Sequence, residues 1–155
     1  MSLPTISILT PTFNRRHTFK LAIKNFYEID YPQLKIEWII VDDGEEDLSD
    51  LVRFSKNINY IKLSGPRLPI GEKRNICVQH CTHDYIVNMD DDDYYPPQSV
   101  QLRVSNIKKG NHDCIFCTSV GTFDVNQYKS IINNVGDRVS IDRGISENTM
   151  AYTKE

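Results

Sequence analysis

Four consecutive aspartates, Asp90 to Asp93, are the residues most able to carry chemistry in this chain of 155 residues. Carboxylates this close repel one another, and a bound cation relieves that repulsion. Hard oxygen ligands suit Mg²⁺ or Mn²⁺, which usually keep coordination positions for water and substrate phosphates. The run follows the apolar segment 85–89. We therefore expect a divalent metal site here, with a solvated acidic loop as the alternative.

Two further polar segments follow predicted strands. The segment Pro11-Thr12-Phe13-Asn14-Arg15 comes after the β-branched run 5–10, and Asp42-Asp43-Gly44 comes after the apolar run 36–41. One carboxylate of the second segment could accept a hydrogen bond from a nucleobase N–H. The alternative is a simple turn, since Asp-Gly pairs favour turns.

A helix predicted over 71–80 adds a third candidate contact. Its first turn carries Gly71, Lys73, Arg74 and Asn75. Free backbone N–H groups, the positive end of the helix dipole and two cations together suit a diphosphate or nucleotide. The alternative is that Lys73 and Arg74 are exposed helix residues, and for Lys73 we favour that alternative.

The positions of these polar segments depend on the elements around them, which alternate regularly between strands and helices. Strands are predicted over 5–10, 36–41, 58–63, 85–89 and 114–120, and helices over 18–28, 47–54, 71–80 and about 97–107. This order predicts an α/β fold: a mostly parallel sheet with helices on both faces and the strand carboxyl ends along one edge. Ligands of such sheets bind at that edge. Beyond residue 120 we predict a helix at 126–133 and a strand at 147–153.

Composition excludes several classes of protein. The net charge of -3 creates no general attraction for nucleic acid. No apolar stretch approaches the ~20 residues of a membrane helix, and residues 1–4 lack the regions of a signal peptide. We expect a soluble, cytoplasmic protein.

The four cysteines raise a zinc hypothesis, because Cys77 and Cys81 lie close to His80 and His83. The segment 114–117 is instead predicted to be a buried strand, in which residues three apart point to opposite faces and cannot chelate one ion. We favour reduced thiols packed as small hydrophobic groups.

A family resemblance connects these segments. The motifs Pro-Thr-Phe-Asn-Arg (11–15), Val-Asp-Asp-Gly (41–44), Gly71-x-x-Arg-Asn75 and Met-Asp-Asp-Asp-Asp-Tyr-Tyr-Pro-Pro (89–97) resemble the family-2 glycosyltransferases of the Rossmann-like GT-A fold. The resemblance covers about residues 4–105, within a single domain spanning 1–155. It implies a nucleotide-diphosphate-sugar donor, with UDP favoured. It also implies a divalent metal held by a DxD motif, and usually inversion at the anomeric carbon.

The resemblance also implies roles for individual residues. Pro11 and Thr12 would line the base and ribose pocket, and Asp43 would contact the base with Asp42 orienting it. The expected nucleotide-binding residues are Pro11, Thr12, Asn14, Arg15, Asp42, Asp43, Gly71, Arg74, Asn75, Asp90 and Asp91. Asp92 would be the direct ligand of Mn²⁺ or Mg²⁺. Four aspartates fit the DxD motif in two registers, and the position of Pro97 favours Asp90-x-Asp92, which makes Asp90 the second expected metal residue.

The catalytic base is not identified by a motif. It would deprotonate the acceptor hydroxyl of a glycan, lipid or protein, and the weak candidates are Asp124, Asp137, Asp142 and Glu147. Residues 106–155 are expected to begin a short or truncated acceptor part. A fragment, or an enzyme completed by another subunit such as a second copy, is therefore possible. The alternative functions are a non-catalytic nucleotide-sugar-binding module and a receiver-type phospho-acceptor, although the latter would need paired acids after its first strand.

Overall fold

The computed structural model of the chain describes residues 2–53, 55–124, 126–134 and 146–154. The strands are β1 (Ile6–Thr12), β2 (Ile36–Asp42), β3 (Ile58–Lys62), β4 (Tyr85–Asn88), β5 (Cys114–Cys117), β6 (Ser119–Asp124), β7 (Lys129–Asn134) and β8 (Ser146–Thr153). The helices are α1 (Lys20–Glu28), α2 (Ser49–Val52), α3 (Ile70–His80) and α4 (Ser99–Gly110), with a 3-10 turn at Gln33–Lys35.

The main sheet has the strand order β3-β2-β1-β4-β8-β5. Strand β1 pairs in parallel with β2 and β4, and β2 pairs in parallel with β3. The prediction of a mostly parallel sheet is confirmed. Strand β8 is antiparallel to both β4 and β5, so its first residues lie at the edge formed by the carboxyl ends of β1, β2 and β4.

Helices cover both faces of this sheet, as predicted. Trp38 of β2 stacks on Phe19 and on Phe26 of α1, with ring centroids 5.9 and 4.6 Å away. Its indole nitrogen donates to Thr10 Oγ1 at 2.7 Å. On the opposite face, Ile39 belongs to the apolar cluster that contains residues of α3. Because both faces are covered, β1 is buried along its whole length.

The helix predicted at 126–133 is wrong. Strands β6 and β7 instead form a separate antiparallel hairpin that pairs Thr122 with Ile131. Asp124 Oδ1 closes the turn by accepting the N–H groups of Asn126 at 2.8 Å and Gln127 at 3.1 Å. A side chain that bonds its own turn competes with helix formation, and the following segment pairs with β6 instead.

The cysteines divide into two pairs. Cys77 within α3 and Cys81 directly after it are buried, whereas Cys114 and Cys117 are exposed on β5. The predicted burial of 114–117 is wrong because β5 is the edge strand of the sheet. No helix among the described residues has the length and apolar content needed to cross a membrane.

Candidate functional site

Polar side chains from three strand ends meet at the carboxyl edge of the sheet. Thr12, the last residue of β1, donates its hydroxyl to Asp91 Oδ2 at 2.5 Å. Asp43 follows β2, and the aspartate run begins two residues after β4. Because the three strands are parallel and adjacent, segments far apart in sequence converge at this edge.

Asp43 forms a buried ion pair with Lys73. Lys73 Nζ lies 2.8 Å from Asp43 Oδ1 and also donates to the carbonyl of Thr12 at 3.0 Å. The other carboxylate oxygen accepts the N–H of Leu68 at 2.7 Å. Burial alone would raise the pKa of Asp43, but the bonds from Lys73 and Leu68 lower it overall. The prediction that Lys73 is exposed is wrong: it is only 4% exposed, because this carboxylate compensates its charge.

Asp42 holds the loop that carries Asp43. Its oxygens accept the N–H of Gly44 at 2.8 Å, the hydroxyl of Tyr60 at 2.6 Å and the ammonium of Lys62 at 3.1 Å. A Cβ on Gly44 would lie 2.5 Å from the backbone nitrogen of Asn14, so the loops after β1 and β2 approach too closely for a side chain there.

Asn14 completes the junction between these two loops. Its backbone adopts a left-handed conformation with φ of 51°, which asparagine tolerates better than most residues. Its Oδ1 accepts the N–H of Glu45 at 2.6 Å. Asn14 therefore fixes the loop between β1 and α1 against the loop after β2.

Each aspartate of the run has a different protein partner. Arg74 Nη2 lies 3.1 Å from Asp90 Oδ1, and Arg15 Nη2 lies 3.1 Å from Asp92 Oδ2. Asp93 accepts a hydrogen bond from Asn148 Nδ2, and Asp91 is bonded to Thr12 as described above. Burial raises the pKa of Asp90 despite the nearby guanidinium, and burial also raises the pKa of Asp91.

The described residues do not contain three His, Cys, Asp or Glu side chains grouped as a complete protein metal site. Such a group is not required for Mg²⁺, which proteins often hold with one or two carboxylates together with substrate phosphates. The Asp92 side chain is 48% exposed and borders an open cleft. Its carboxylate therefore fits a metal that is shared with a phosphorylated ligand.

The cleft beside Asp92 has a volume of about 210 Å³. Its lining residues are Pro11, Thr12, Phe13, Arg15, Arg67, Leu68, Ile70, Lys73, Asp90, Asp91 and Asp92. The guanidinium of Arg67 lies 4.3 Å from the centre of the Phe13 ring. Sequence reasoning missed Phe13 and Arg67 as candidate site residues, although Phe13 falls within a quoted motif and Arg67 within a Pro/Gly loop.

A second cavity of about 350 Å³ lies between α3 and β8. Its lining residues are Gly71, Arg74, Asn75, Asn88, Glu147, Met150 and Tyr152. Arg74 is bonded to Asp90 through Nη2 and to Glu147 Oε2 through Nη1, at 2.5 Å. Since Asp90 also lines the first cleft, the Arg74–Asp90 ion pair lies at the boundary between the two cavities. Sequence reasoning missed Asn88, Met150 and Tyr152, which carry no motif.

The four candidate bases have different positions. Glu147 is bonded to Arg74 at the second cavity, while Asp124 closes the turn of the β6–β7 hairpin. Asp137 and Asp142 lie outside the described residues.

The family model for glycosyl transferase family 2 matches residues 7–153. The chain belongs to glycosyl transferase family 2. The matched region includes both cavities and all four motifs, and the sheet is that of a GT-A fold.

Individual relatives of this family member are distant. The chain is 22% identical over 123 residues to a poly(ribitol-phosphate) beta-N-acetylglucosaminyltransferase, TarS, of Staphylococcus aureus, covering 74% of this chain and 21% of the relative. The solved structure of residues 1–349 of S. aureus TarS in complex with UDP matches with a TM-score of 0.74, 18% identity, and coverage of 97% of this chain and 47% of that one.

A second solved structure is also similar. The mannosyltransferase PcManGT from Pyrobaculum calidifontis, solved in complex with GDP-Man and Mn²⁺, matches with a TM-score of 0.67 and 20% identity, over 83% of this chain and 38% of that one. The chain thus spans about a fifth of the curated relative and less than half of these solved chains.

Proposed function

We propose that this chain is the donor-binding part of a metal-dependent glycosyltransferase, which transfers a sugar from a nucleotide-diphosphate sugar to an acceptor hydroxyl. The observation that carries the proposal is the cleft at the sheet edge, where Asp91 and Asp92 lie together with Arg15 and Arg67. Asp43 adjoins this cleft through its ion pair with the lining residue Lys73. Membership of the family and the names of the similar structures, which include UDP and GDP-Man complexes, support it.

The proposed nucleotide site uses groups whose positions are fixed by hydrogen bonds. Asp43 retains lone pairs on both carboxylate oxygens and would accept an N–H of the base, with uracil favoured. Its lowered pKa keeps it ionised, which strengthens that bond. Pro11 and Thr12 would line the base and ribose pocket. Asp91, whose orientation is set by Thr12, would accept ribose hydroxyls.

The proposed metal residue is Asp92, because the carboxylate of Asp90 is already paired with Arg74. A divalent metal held there would neutralise charge on the departing nucleoside diphosphate. Arg15 is paired with Asp92, and both side chains are about half exposed. We propose that Arg15 exchanges Asp92 for a phosphate oxygen when the donor and metal bind, because exposed ion pairs are weak.

Transfer with inversion would require a base on the side of the sugar opposite the diphosphate. Glu147 Oε2 lies 2.5 Å from Arg74 Nη1, so this carboxylate is already held in an ion pair. This contact favours a second candidate function, a nucleotide-sugar-binding module that needs another segment for catalysis.

Thermal unfolding in the presence of nucleotides tests the donor site. We expect UDP or another nucleoside diphosphate to raise the melting temperature, and to raise it further with Mn²⁺ or Mg²⁺. A ligand that binds only the folded state stabilises it by about 2.7 kcal/mol at a hundredfold excess over Kd. If no nucleotide at millimolar concentration shifts the transition, the donor-site proposal is wrong.

A pair of neighbouring substitutions tests the metal assignment. Asp92→Asn removes a hard anionic ligand and should abolish the additional effect of Mn²⁺ on UDP binding, whereas Asp93→Asn should have a smaller effect. Relief of carboxylate repulsion should leave the fold intact or more stable. Calorimetric titration with Mn²⁺ and UDP measures both variants. If Asp93→Asn has the larger effect, the register moves by one residue; if neither variant differs from the parent, the run is a solvated loop.

A further inference from the structure

Three polar side chains hold the two ends of the aspartate run. Asn25 of α1 donates from Nδ2 to the carbonyl of Asp93 at 2.7 Å, and its Oδ1 accepts the N–H of Tyr95 at 3.3 Å. The hydroxyl of Tyr95 accepts the N–H of Asp90 at 2.9 Å and donates to the carbonyl of Asn148 at 3.0 Å. The side chain of Asn148 donates in turn to the Asp93 carboxylate. We call Asn25, Tyr95 and Asn148 the loop frame.

Asn25 lies on the buried face of α1, where an amide group is costly. It is fully buried, as are Ala22 and Phe26 on the same face of the helix. An amide moved from water to such a position destabilises the fold unless it is hydrogen-bonded. In the described part of the chain, both side-chain bonds of Asn25 go to backbone groups at the end of the aspartate run. The loop that it holds therefore explains a polar residue at this position, and core packing does not.

Tyr95 is anchored by its ring and connects two elements through its hydroxyl. The residue is 6% exposed and belongs to the larger apolar cluster, and the guanidinium of Arg103 lies 5.5 Å from the ring centre. Burial raises the pKa of Tyr95, so the hydroxyl keeps its proton and can donate to Asn148 while it accepts from Asp90. It therefore links the start of the aspartate run, just after β4, to β8.

The loop frame fixes the backbone on both sides of Asp92. Asp92 lines the cleft, whereas the carboxylate of Asp93 is bonded to Asn148 on β8. In the described part of the chain, no bond of the frame uses the side chain of Asp92, whose partner is Arg15. Because the backbone is bonded at Asp90 and again at Asp93, the carboxylate between them can reach few positions other than the cleft.

We propose that the loop frame positions Asp92 for a divalent metal, with Tyr95 and Asn25 as positioning residues that touch neither the metal nor the nucleotide. The proposal rests on the proposed function, which it deepens by naming the groups that set the position of the metal ligand. Adjacent carboxylates repel one another, so an unsupported run would spread apart before a cation binds. Hydrogen bonds behind a metal ligand fix its orientation in advance, and their loss typically weakens metal affinity by about 10–100-fold.

Tyr95→Phe tests the frame with a small change, because it removes the hydroxyl and keeps the ring beside Arg103. Tyr31→Phe is the matched control. Tyr31 is also 6% exposed, and its hydroxyl donates to the carbonyl of Pro4 at 2.7 Å. That bond involves no residue of the aspartate run. Each variant thus loses one buried hydroxyl that donates to a backbone carbonyl, so the two should lose stability to a similar extent.

Calorimetric titration of UDP measures the contribution of the metal as a ratio, the Kd without metal divided by the Kd with Mn²⁺. We expect Tyr95→Phe to lower this ratio about tenfold relative to the parent, and Tyr31→Phe to keep the parent ratio. Uridine affinity without metal should stay unchanged in both variants, because Asp43 and Asp91 are held by residues outside the frame. A hydroxyl with a merely structural role would lower the melting temperature without changing the ratio.

Asn148→Ala is the second variant, because Asn148 is half-buried and its replacement removes the side-chain bond to Asp93. It should lower the same ratio, and it takes the place of Tyr95→Phe if that chain fails to fold. A folded variant of the frame that keeps the parent ratio would overturn the inference and leave the proposed function standing. An equal fall of the ratio in Tyr31→Phe would also overturn it. If Mn²⁺ has no effect on UDP binding to the parent, the proposed metal site is wrong and the inference is wrong with it.

Discussion

At the residue scale, adjacency in the sequence does not make the four aspartates equivalent. Asp91 is buried against Thr12, whereas Asp92 is exposed beside Arg15. The four adjacent aspartates predict a cation-binding segment, because their carboxylates repel one another unless a cation is bound. The division of roles could not be predicted from the sequence, because it depends on partners as distant as Thr12, 79 positions away.

Asp43 offers a direct test of base recognition. Asp43→Asn should weaken uridine and UDP binding by about 1–3 kcal/mol with or without Mn²⁺, because one of the two accepting carboxylate oxygens becomes an NH₂ donor and the remaining acceptor loses its charge. The variant should also melt at a lower temperature, since Lys73 loses the partner of its buried charge. Titration calorimetry and thermal unfolding measure the two effects separately.

Exposed Glu46 provides the control for that substitution. Glu46→Gln removes one charge from the same loop and should leave nucleotide affinity unchanged. Equal affinity in the parent and in Asp43→Asn would mean that the segment Asp42-Asp43-Gly44 is only a turn.

At the element scale, periodicity predicts the parallel strands and their helices well, and it predicts the hairpin segment 126–133 poorly. Strands β1 to β4 and the helices between them lie close to their predicted positions. The strand predicted at 147–153 agrees with β8, but the helix predicted at 126–133 is wrong because the structure of that segment depends on pairing between strands. The segment 126–133 has apolar residues compatible with either period, and the antiparallel pairing of β7 with β6 decides the outcome.

Glu37 of β2 connects three elements at the opposite edge of the sheet. It accepts hydrogen bonds from the Ser7 hydroxyl at 2.5 Å, the Thr82 N–H at 2.6 Å and the Thr82 hydroxyl at 2.9 Å. Burial alone would raise the pKa of Glu37, but these bonds lower it below its ordinary value. The stabilisation is therefore fully present above the unfolded-state pKa and is lost as the pH falls through the lower folded-state pKa.

Glu37→Gln should reduce the free energy of unfolding at neutral pH by about 1–2 kcal/mol, and the difference from the parent should shrink at about pH 3. Urea unfolding at the two pH values measures this change. Glu28→Gln, on the exposed end of α1, is the control and should show a small effect at both. A Glu37→Gln deficit that is equal at both pH values would contradict the ionised hydrogen-bonded network.

At the scale of the whole molecule, the sheet topology explains why the predicted motifs form one site. Three parallel strand ends bring the motifs to one edge, and the α/β alternation was sufficient to predict that convergence. The second cavity was not predictable, because it requires antiparallel β8 beside β4. Because β8 runs antiparallel to β4, Glu147 lies close to Arg74, which is 73 positions away in the sequence. No local sequence pattern predicts this contact.

The arrangement of these carboxylates predicts slow turnover by this chain. We expect the 155 residues to release UDP from UDP-sugars very slowly with Mn²⁺ and candidate acceptors, because Glu147 is held by Arg74 and Asp124 closes the hairpin turn. General-base assistance typically contributes ~10²–10⁴-fold to rate, so its loss should be visible in a UDP-release assay even when the donor binds well. Glu147→Gln should then leave the slow rate unchanged. Rapid turnover that is abolished by substituting one of Asp124, Asp137, Asp142 or Glu147 would overturn this expectation and identify the base.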